Sequence, residues 1–160
     1  MVCEGEKLTD ARKATVSDIP FMAALAREQY PQFTLENAEA WAAKVMALPN
    51  AAMFICGEAV STVAAQKEFW SPDAWVADIL PTFGRPTPEN PLGTYKTLCA
   101  AAEWAKHSGC YGVRFGSSVG ALSKSRGAVD LMEPFAKRMG AHPWGLTYML
   151  EFPKCPPQYQ

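Results

Sequence analysis

The chain has 160 residues, 49% of them hydrophobic, and a formal net charge of -1. That length and apolar content suit one domain with a core of its own, and the lack of a long basic run removes composition as an argument for nucleic-acid binding. No apolar stretch approaches the roughly 20 residues that a bilayer span needs, and "MVCEGEKLTDARK" has no apolar centre of the secretory kind; the expectation is a soluble cytoplasmic protein with neither a nucleic-acid nor a membrane partner.

"ARKATV" (Ala11–Val16) reads as a short strand. Ser17 is placed to cap a helix, Pro20 is tolerated in its first turn, and the helix runs through "FMAALAREQY" until Pro31 stops it. Thr34 opens a second helix, "LENAEAWAAKVMAL", ended by Pro49. The period then becomes strand-like. "AAMFIC", the tight turn Gly57–Glu58, "AVSTVAAQKEFW", the turn Ser71–Asp73 and "AWVADIL" read as an antiparallel meander. A helix follows over "TYKTLCAAAEWAKHSG", with Gly109 as its stop. "CYGVRFGSS" is a strand, "VGALSKSRGA" a Gly/Ser loop, about Asp130–Met139 a short helix with capping-box spacing from Asp130 to Glu133, and "LTYMLEF" a final strand. The order β-α-α-β-β-β-α-β-α-β needs at least one parallel crossover. It predicts an α/β fold: a mixed, mostly antiparallel sheet of six to seven strands with about four helices. Residues 1–160 read as a single domain, with 1–10 and 153–160 as loose termini.

The five cysteines, Cys3, Cys56, Cys99, Cys110 and Cys155, are widely spaced, and no C-x-x-C pair occurs. The spacing suggests neither a zinc site nor a disulfide framework, and Cys56, Cys99 and Cys110, in apolar contexts, read as small buried hydrophobes in a reducing compartment. A nucleophilic cysteine would want a histidine partner, for which only His107 and His142 exist.

Three stretches, in this order, resemble the GNAT superfamily of N-acetyltransferases. "RKATVSDIPFMAALARE" is similar to the opening strand and first helix, "ADILPTF" to the fourth strand and its exit, and "FAKRMGAHPWGLTYMLE" to the last helix and closing hairpin. The resemblance spans about Ala11 to Phe152. It implies acetyl-CoA as cofactor, with the pantetheine arm between the splayed fourth and fifth strands. The pyrophosphate would rest on free amides where the third helix begins, because unpaired N–H groups and the helix dipole attract an anion there.

The stretch "ILPTFGRPTPENPLGTYKTLC" (Ile79–Cys99) is where that cradle belongs. The family's phosphate loop reads Gln/Arg-x-x-Gly-x-Gly/Ala, and the nearest register here is "NPLGTY". Gly93 matches the central glycine, Asn90 replaces Gln or Arg, and Tyr95 stands where a small residue lets the diphosphate approach the backbone. Four prolines remove amide donors. Arg85, Thr94 and Lys96 are the remaining phosphate ligands, against the plainer reading of Arg85 and Lys96 as solvated charge. The resemblance therefore comes with a degenerate phosphate loop.

Transfer of an acetyl group to an amine needs a proton acceptor and N–H donors for the thioester oxygen. Asp78 and Glu68 are the candidate bases, with polar residues on an exposed sheet face as the alternative. Ile79 and Leu80 would supply amides, and Ser117 would help to position the pantetheine. The family's tyrosine acid falls at Ala136, beside Phe135, neither of which carries a proton to give. Tyr111 and Tyr148 are weak substitutes, better read as core or sheet-face aromatics. Gln29, Tyr30, Phe33, His142 and Trp144 would line the acceptor cleft, which is more aromatic than acidic and so disfavours a polycation.

Three functions follow from the resemblance. One is an acetyl-CoA-dependent N-acetyltransferase acting on a small amine or a protein amine. The second is a catalytically inactive protein of this fold that works in binding or assembly. The most distant is an acyltransferase taking its group from a carrier protein, which would lean less on a phosphate loop.

Overall fold

The computed structural model describes residues 10–116, 128–144 and 147–152. Of the segments expected to be loose ends, only Asp10 is among them; Ser117, Ser118 and most of the Gly/Ser loop lie outside the described residues. In chain order the elements are β1 (Arg12–Lys13), a 3-10 turn (Val16–Asp18), α1 (Ile19–Gln29), α2 (Leu35–Met46), β2 (Ala51–Cys56), β3 (Ala59–Lys67), β4 (Trp75–Gly84), α3 (Gly93–His107), β5 (Gly112–Phe115), α4 (Ala128–Met139), β6 (His142–Trp144) and β7 (Thr147–Glu151). The strands form one seven-stranded sheet in the order β1-β2-β3-β4-β5-β7-β6. Every junction is antiparallel except β4–β5, which is parallel. The expected mixed, mostly antiparallel α/β order is the order found.

Two apolar cores sandwich this sheet. On one face α3 presents Leu98, Ala101, Ala102 and Ala105, all fully buried, to Val63, Ala77 and Val113. Alanines at these helical spacings let the helix lie close on the sheet, and α4 closes the layer with Ala136 and Met139. On the other face Met22 and Leu25 of α1 and Val45 of α2 pack on Met53, Ile55, Val60 and Phe83. At roughly 1.5–3 kcal/mol for each large apolar side chain buried, these layers are the main source of stability. Cys56 and Cys110 are free and buried, as expected of small hydrophobes; Cys99 is buried as expected but disulfide-bonded, which corrects its reading as a reduced thiol.

The element ends differ from the sequence reading where side chains intervene. The first strand is shorter than Ala11–Val16 because Asp18 turns the chain: its carboxylate accepts the Thr15 amide at 2.8 Å and holds the Arg12 guanidinium at 2.6 and 2.7 Å. The helix entry thus belongs to Thr15 and Asp18, not to Ser17. Thr34 caps α2 as expected, accepting the Asn37 amide at 3.1 Å. The last helix begins at Ala128 rather than Asp130, so Asp130 is inside it. The largest departure is β4, which runs on through "PTFG" to Gly84 because β3 keeps pairing with it, Val60 with Phe83 and Ala59 with Gly84. Gly84 has φ +98°, and a Cβ there would stand 1.8 Å from the Glu58 carbonyl oxygen, so only glycine fits where the strand leaves over the β2–β3 turn.

Candidate functional site

β4 and β5 are joined over only two residue pairs, Ala77 with Val113 and Asp78 with Arg114. Among the described residues, β4 beyond Asp78 is carried from Ile79 to Gly84 by β3 alone. The β3–β4 register also slips between Ser61 and Val63, a bulge opposite Leu80 and Pro81. A bulge is where a proline is tolerated inside a strand, since no ladder bond is asked of it, and the added twist bends the strand from its neighbour. Thr62, on the partner strand at the bulge, keeps its hydroxyl buried without a hydrogen-bond partner among the described residues. Among the described residues one edge of β4 is therefore left open past Asp78, with backbone groups able to pair with a ligand.

A charged cluster sits at the last rung before the strands part. Asp78 is opposite Ala64 in β3 and Arg114 in β5, so all three side chains lie on the sheet face that carries α1 and α2. Arg114 holds Asp78 with two bonds, Nε to Oδ1 at 2.7 Å and a terminal nitrogen to Oδ2 at 2.8 Å. Gln66 Nε2 also donates to Oδ2. The same guanidinium reaches Glu68 Oε1 at 3.4 Å, and the Tyr111 hydroxyl donates to that oxygen at 2.6 Å. Glu68 is buried, while Asp78 keeps a quarter of its side chain exposed. Burial, and then the bond to Glu68, push the Tyr111 hydroxyl up to about 12, so Tyr111 holds its proton too tightly for a general acid near neutral pH. Asp78 pairing raises Arg114 further above its ordinary value and keeps it cationic. Both candidate bases are thus found together and share one arginine. Arg114 was missed in the sequence; its only mark was a lone charge inside the apolar run "GVRF".

Farther along the same face a cavity of about 480 Å³ opens between α1, α2 and β4. Tyr30 and Phe33, both expected in the acceptor cleft, line it, with Asn37 and Trp41 of α2 and Pro81 and Phe83 of β4. The aromatics meet edge to face: Trp41 on Phe83 and Tyr30 on Phe33, each pair with centroids 6.2 Å apart. Asn37 and Trp41 are one helical turn apart, a spacing visible in the sequence, but nothing local said which way that face turned. Gln29 is not part of the lining; its Oε1 accepts the Gly84 amide at 3.3 Å and its Nε2 donates to the Tyr30 hydroxyl at 3.4 Å. His142 is opposite Met149 on β6, its ring 3.8 Å from Glu151, and does not line the cavity. Trp144 ends β6 opposite Thr147.

The proline-rich stretch passes over the β2–β3 turn. The Arg85 amide donates to the Glu58 carbonyl at 3.0 Å, and Asn90 Oδ1 accepts from Cys56 Sγ at 3.6 Å. The Gly93 amide donates to the Asn90 carbonyl at 3.1 Å, and a Cβ at Gly93 would lie 2.9 Å from the Cys56 carbonyl oxygen. Packing on the hairpin is a sufficient reason for glycine there. Arg85 pairs with Glu58 at 2.6 Å and with Glu28 at 3.6 Å, while Lys96 pairs with Asp10 at 2.6 Å. Tyr95, whose ring stood to block a diphosphate, is turned into the core: it is buried, stacked 6.2 Å from Phe135 and covered by the Arg138 guanidinium at 4.5 Å. Thr94 is half-buried in the first turn of α3. Ile79 is buried and Leu80 exposed, the first residues past the last β4–β5 pair. Among the described residues no group of three or more His, Cys, Asp or Glu is placed to hold a metal ion, and no helix is long and apolar enough to cross a membrane.

No protein-family model and no curated protein sequence matches the chain. Solved structures do. Glucosamine-6-phosphate N-acetyltransferase from Arabidopsis thaliana superposes with a TM-score of 0.63 at 15% identity, over 91% of this chain and 96% of that one. An aminoglycoside N-acetyltransferase in complex with CoA gives 0.62 at 12% identity, over 79% and 85%. A transcriptional regulator from Bacillus halodurans C-125 gives 0.60 at 15% identity, over 78% and 89%. Likeness at such identity speaks for the backbone arrangement and not for the reaction. The chain has the GNAT fold.

Proposed function

We propose that the chain is an acetyl-CoA-dependent N-acetyltransferase that moves an acetyl group to a primary amine by direct attack. The observation that carries this reading is the parting of β4 from β5 just past the Asp78–Arg114 rung, on the face into which the aromatic cavity opens. An open strand edge fits an extended pantetheine arm, and the turned-away Tyr95 ring leaves the start of α3 unobstructed by its own side chain. Acetyl-CoA, when bound, supplies the thioester carbonyl. Backbone groups of Ile79 and Leu80 would hold its arm, and the first turn of α3, Gly93 to Lys96, would receive its phosphates. Ser117 completes this set by its place after β5. Arg85 and Lys96 would trade their present carboxylate partners for phosphate, an exchange that costs little for Arg85 because its exposed pairs are screened by solvent.

Asp78 is the proton acceptor in this reading. Its Oδ2 already accepts from Gln66 and Arg114, whereas Oδ1 accepts, among the described residues, only from Arg114 Nε and keeps a lone pair for the amine's proton. Glu68, buried behind Arg114, shares that guanidinium and steadies it. The amine would approach along β4 from the cavity, past Tyr30 and Phe33.

Titration with acetyl-CoA tests the reading. At about a hundredfold excess over Kd a native-state ligand adds about 2.7 kcal/mol, which raises the Tm of a chain this long by roughly 5–10 °C. Thiol release with an amine present should fall at least about tenfold in Asp78→Asn. The second reading, a protein of this fold without catalysis, is favoured by the phosphate side, where Asn90, Gly93 and Arg85 all have partners within the chain. No thermal shift at millimolar acetyl-CoA would select it.

A further inference from the structure

We infer that the amine accepted here is carried on a flat aromatic or compact apolar body and bears no second positive charge. The inference rests on the transferase reading and gives its acceptor a chemical class. The cavity's volume of about 480 Å³ is that of a small-molecule site. Its walls are Tyr30, Phe33, Trp41, Pro81 and Phe83, and the lining side chains with polar atoms are Tyr30, Asn37 and, through its indole N–H, Trp41. Among the described residues no Asp, Glu, Lys or Arg lines it. A second ammonium would meet ring faces but no carboxylate among the described lining residues, and the cation–π attraction is smaller than the cost of stripping its hydration without an opposite charge. A sugar would leave most of its hydroxyls unpaired against ring faces. An aromatic body loses nothing on leaving water, and the edge-to-face pairs Trp41–Phe83 and Tyr30–Phe33 present ring edges and faces of the kind that it stacks on.

The position sets the direction of the amine. Pro81 and Phe83 belong to the part of β4 that β5 does not cover, and Asp78 is on the same face nearer the junction. A ring seated in the cavity against Trp41 and Phe83 therefore directs its amine along β4 toward the Leu80–Pro81 bulge, the side on which Asp78 lies. Phe33 lines the cavity while half exposed, so its ring is reachable by a ligand from solvent.

Calorimetry on the cofactor-free protein tests this without turnover. 2-Phenylethylamine and tryptamine should bind at least about tenfold more tightly than putrescine or glucosamine. Trp41→Ala should weaken the aromatic amines by at least about tenfold while acetyl-CoA affinity, measured separately, stays the same. Because Trp41 also packs on Phe83, the exposed Phe33→Ala is the companion variant; it should weaken the same amines by about threefold or more with an unchanged Tm. Equal affinity for putrescine or glucosamine, or aromatic-amine binding indifferent to both substitutions, overturns the inference. So does displacement of the aromatic amine by octanoyl-CoA and not by acetyl-CoA, which would assign the cavity to the donor's acyl chain. Acetyl-CoA binding with turnover of other amines alone defeats the acceptor class and leaves the transferase standing. Aromatic-amine binding intact with no acetyl-CoA binding removes the transfer and keeps the ligand class.

Discussion

Replacing Arg114 by methionine probes the junction on which the site depends. Arg114 is the common partner of Asp78 and Glu68, with its side chain 17% exposed and that of Glu68 4%. Methionine keeps much of the packing volume and removes the charge, leaving two carboxylates facing each other. Stranding one partner of a buried pair costs about 3–5 kcal/mol. Asp78 is 26% exposed and recovers some hydration, so a loss of about 2–4 kcal/mol is expected. Urea unfolding should show it as a midpoint lowered by roughly 1–2 M at constant slope. Protonation relieves stranded carboxylates, so the deficit should shrink as the pH is taken from about 7.5 to about 5. A double-mutant cycle with Asp78→Asn should return a coupling of about 1–3 kcal/mol. A loss under about 1 kcal/mol that does not change with pH would refute the view of Arg114 as the charge that holds both acids. Should stability fall as stated while acetyl-CoA affinity is untouched, the cluster would be a structural clamp with no bearing on the gap.

Three further outcomes follow from the contacts. Arg12 and the Thr15 amide hold the Asp18 carboxyl well below the usual carboxylate range; a depressed native value stabilises above the unfolded value of about 3.9 and is lost as pH falls below it. Asp18→Asn should therefore cost about 1 kcal/mol at neutral pH, with the gap to the parent closing in acid during thermal melts. Gly84→Ala and Gly109→Ala both place a side chain at positive φ, but the added Cβ meets Glu58 O at 1.8 Å in the first and nothing within 4 Å in the second. Chemical denaturation should give about 1–2 kcal/mol for Gly109→Ala and more than about 4 kcal/mol, or no folded protein, for Gly84→Ala. Tyr95→Ala should cost about 3–5 kcal/mol through the lost stack on Phe135, and calorimetry should show no gain in acetyl-CoA affinity, since the ring already faces away; a gain would mean that it obstructs the cradle.

Much of the fold was legible along the chain because its signals are local. Thr34 before an apolar-periodic run announces a helix by a bond three residues away. "AAMFIC" and "AVSTVAAQK" with Gly57–Glu58 between them announce a hairpin, since a two-residue turn with a positive-φ glycine leaves few other paths. Asp78 and Glu68 could be named from position, and Tyr30 and Phe33 from following the first helix. What tertiary structure alone decided was partnership. Arg114 meets Asp78 across 36 residues and Glu68 across 46, and no periodicity carries such distances. The extension of β4 through Pro81 to Gly84 required β3 to supply the ladder, against the local preference of proline and glycine. Tyr95 could be read either way until α4 supplied Phe135 and Arg138 to cover its ring. Sequence determines which side chains are available and which local turns they favour; the direction each one faces is set by what arrives from the rest of the chain, because burial and charge pairing are energies of neighbours and not of residues.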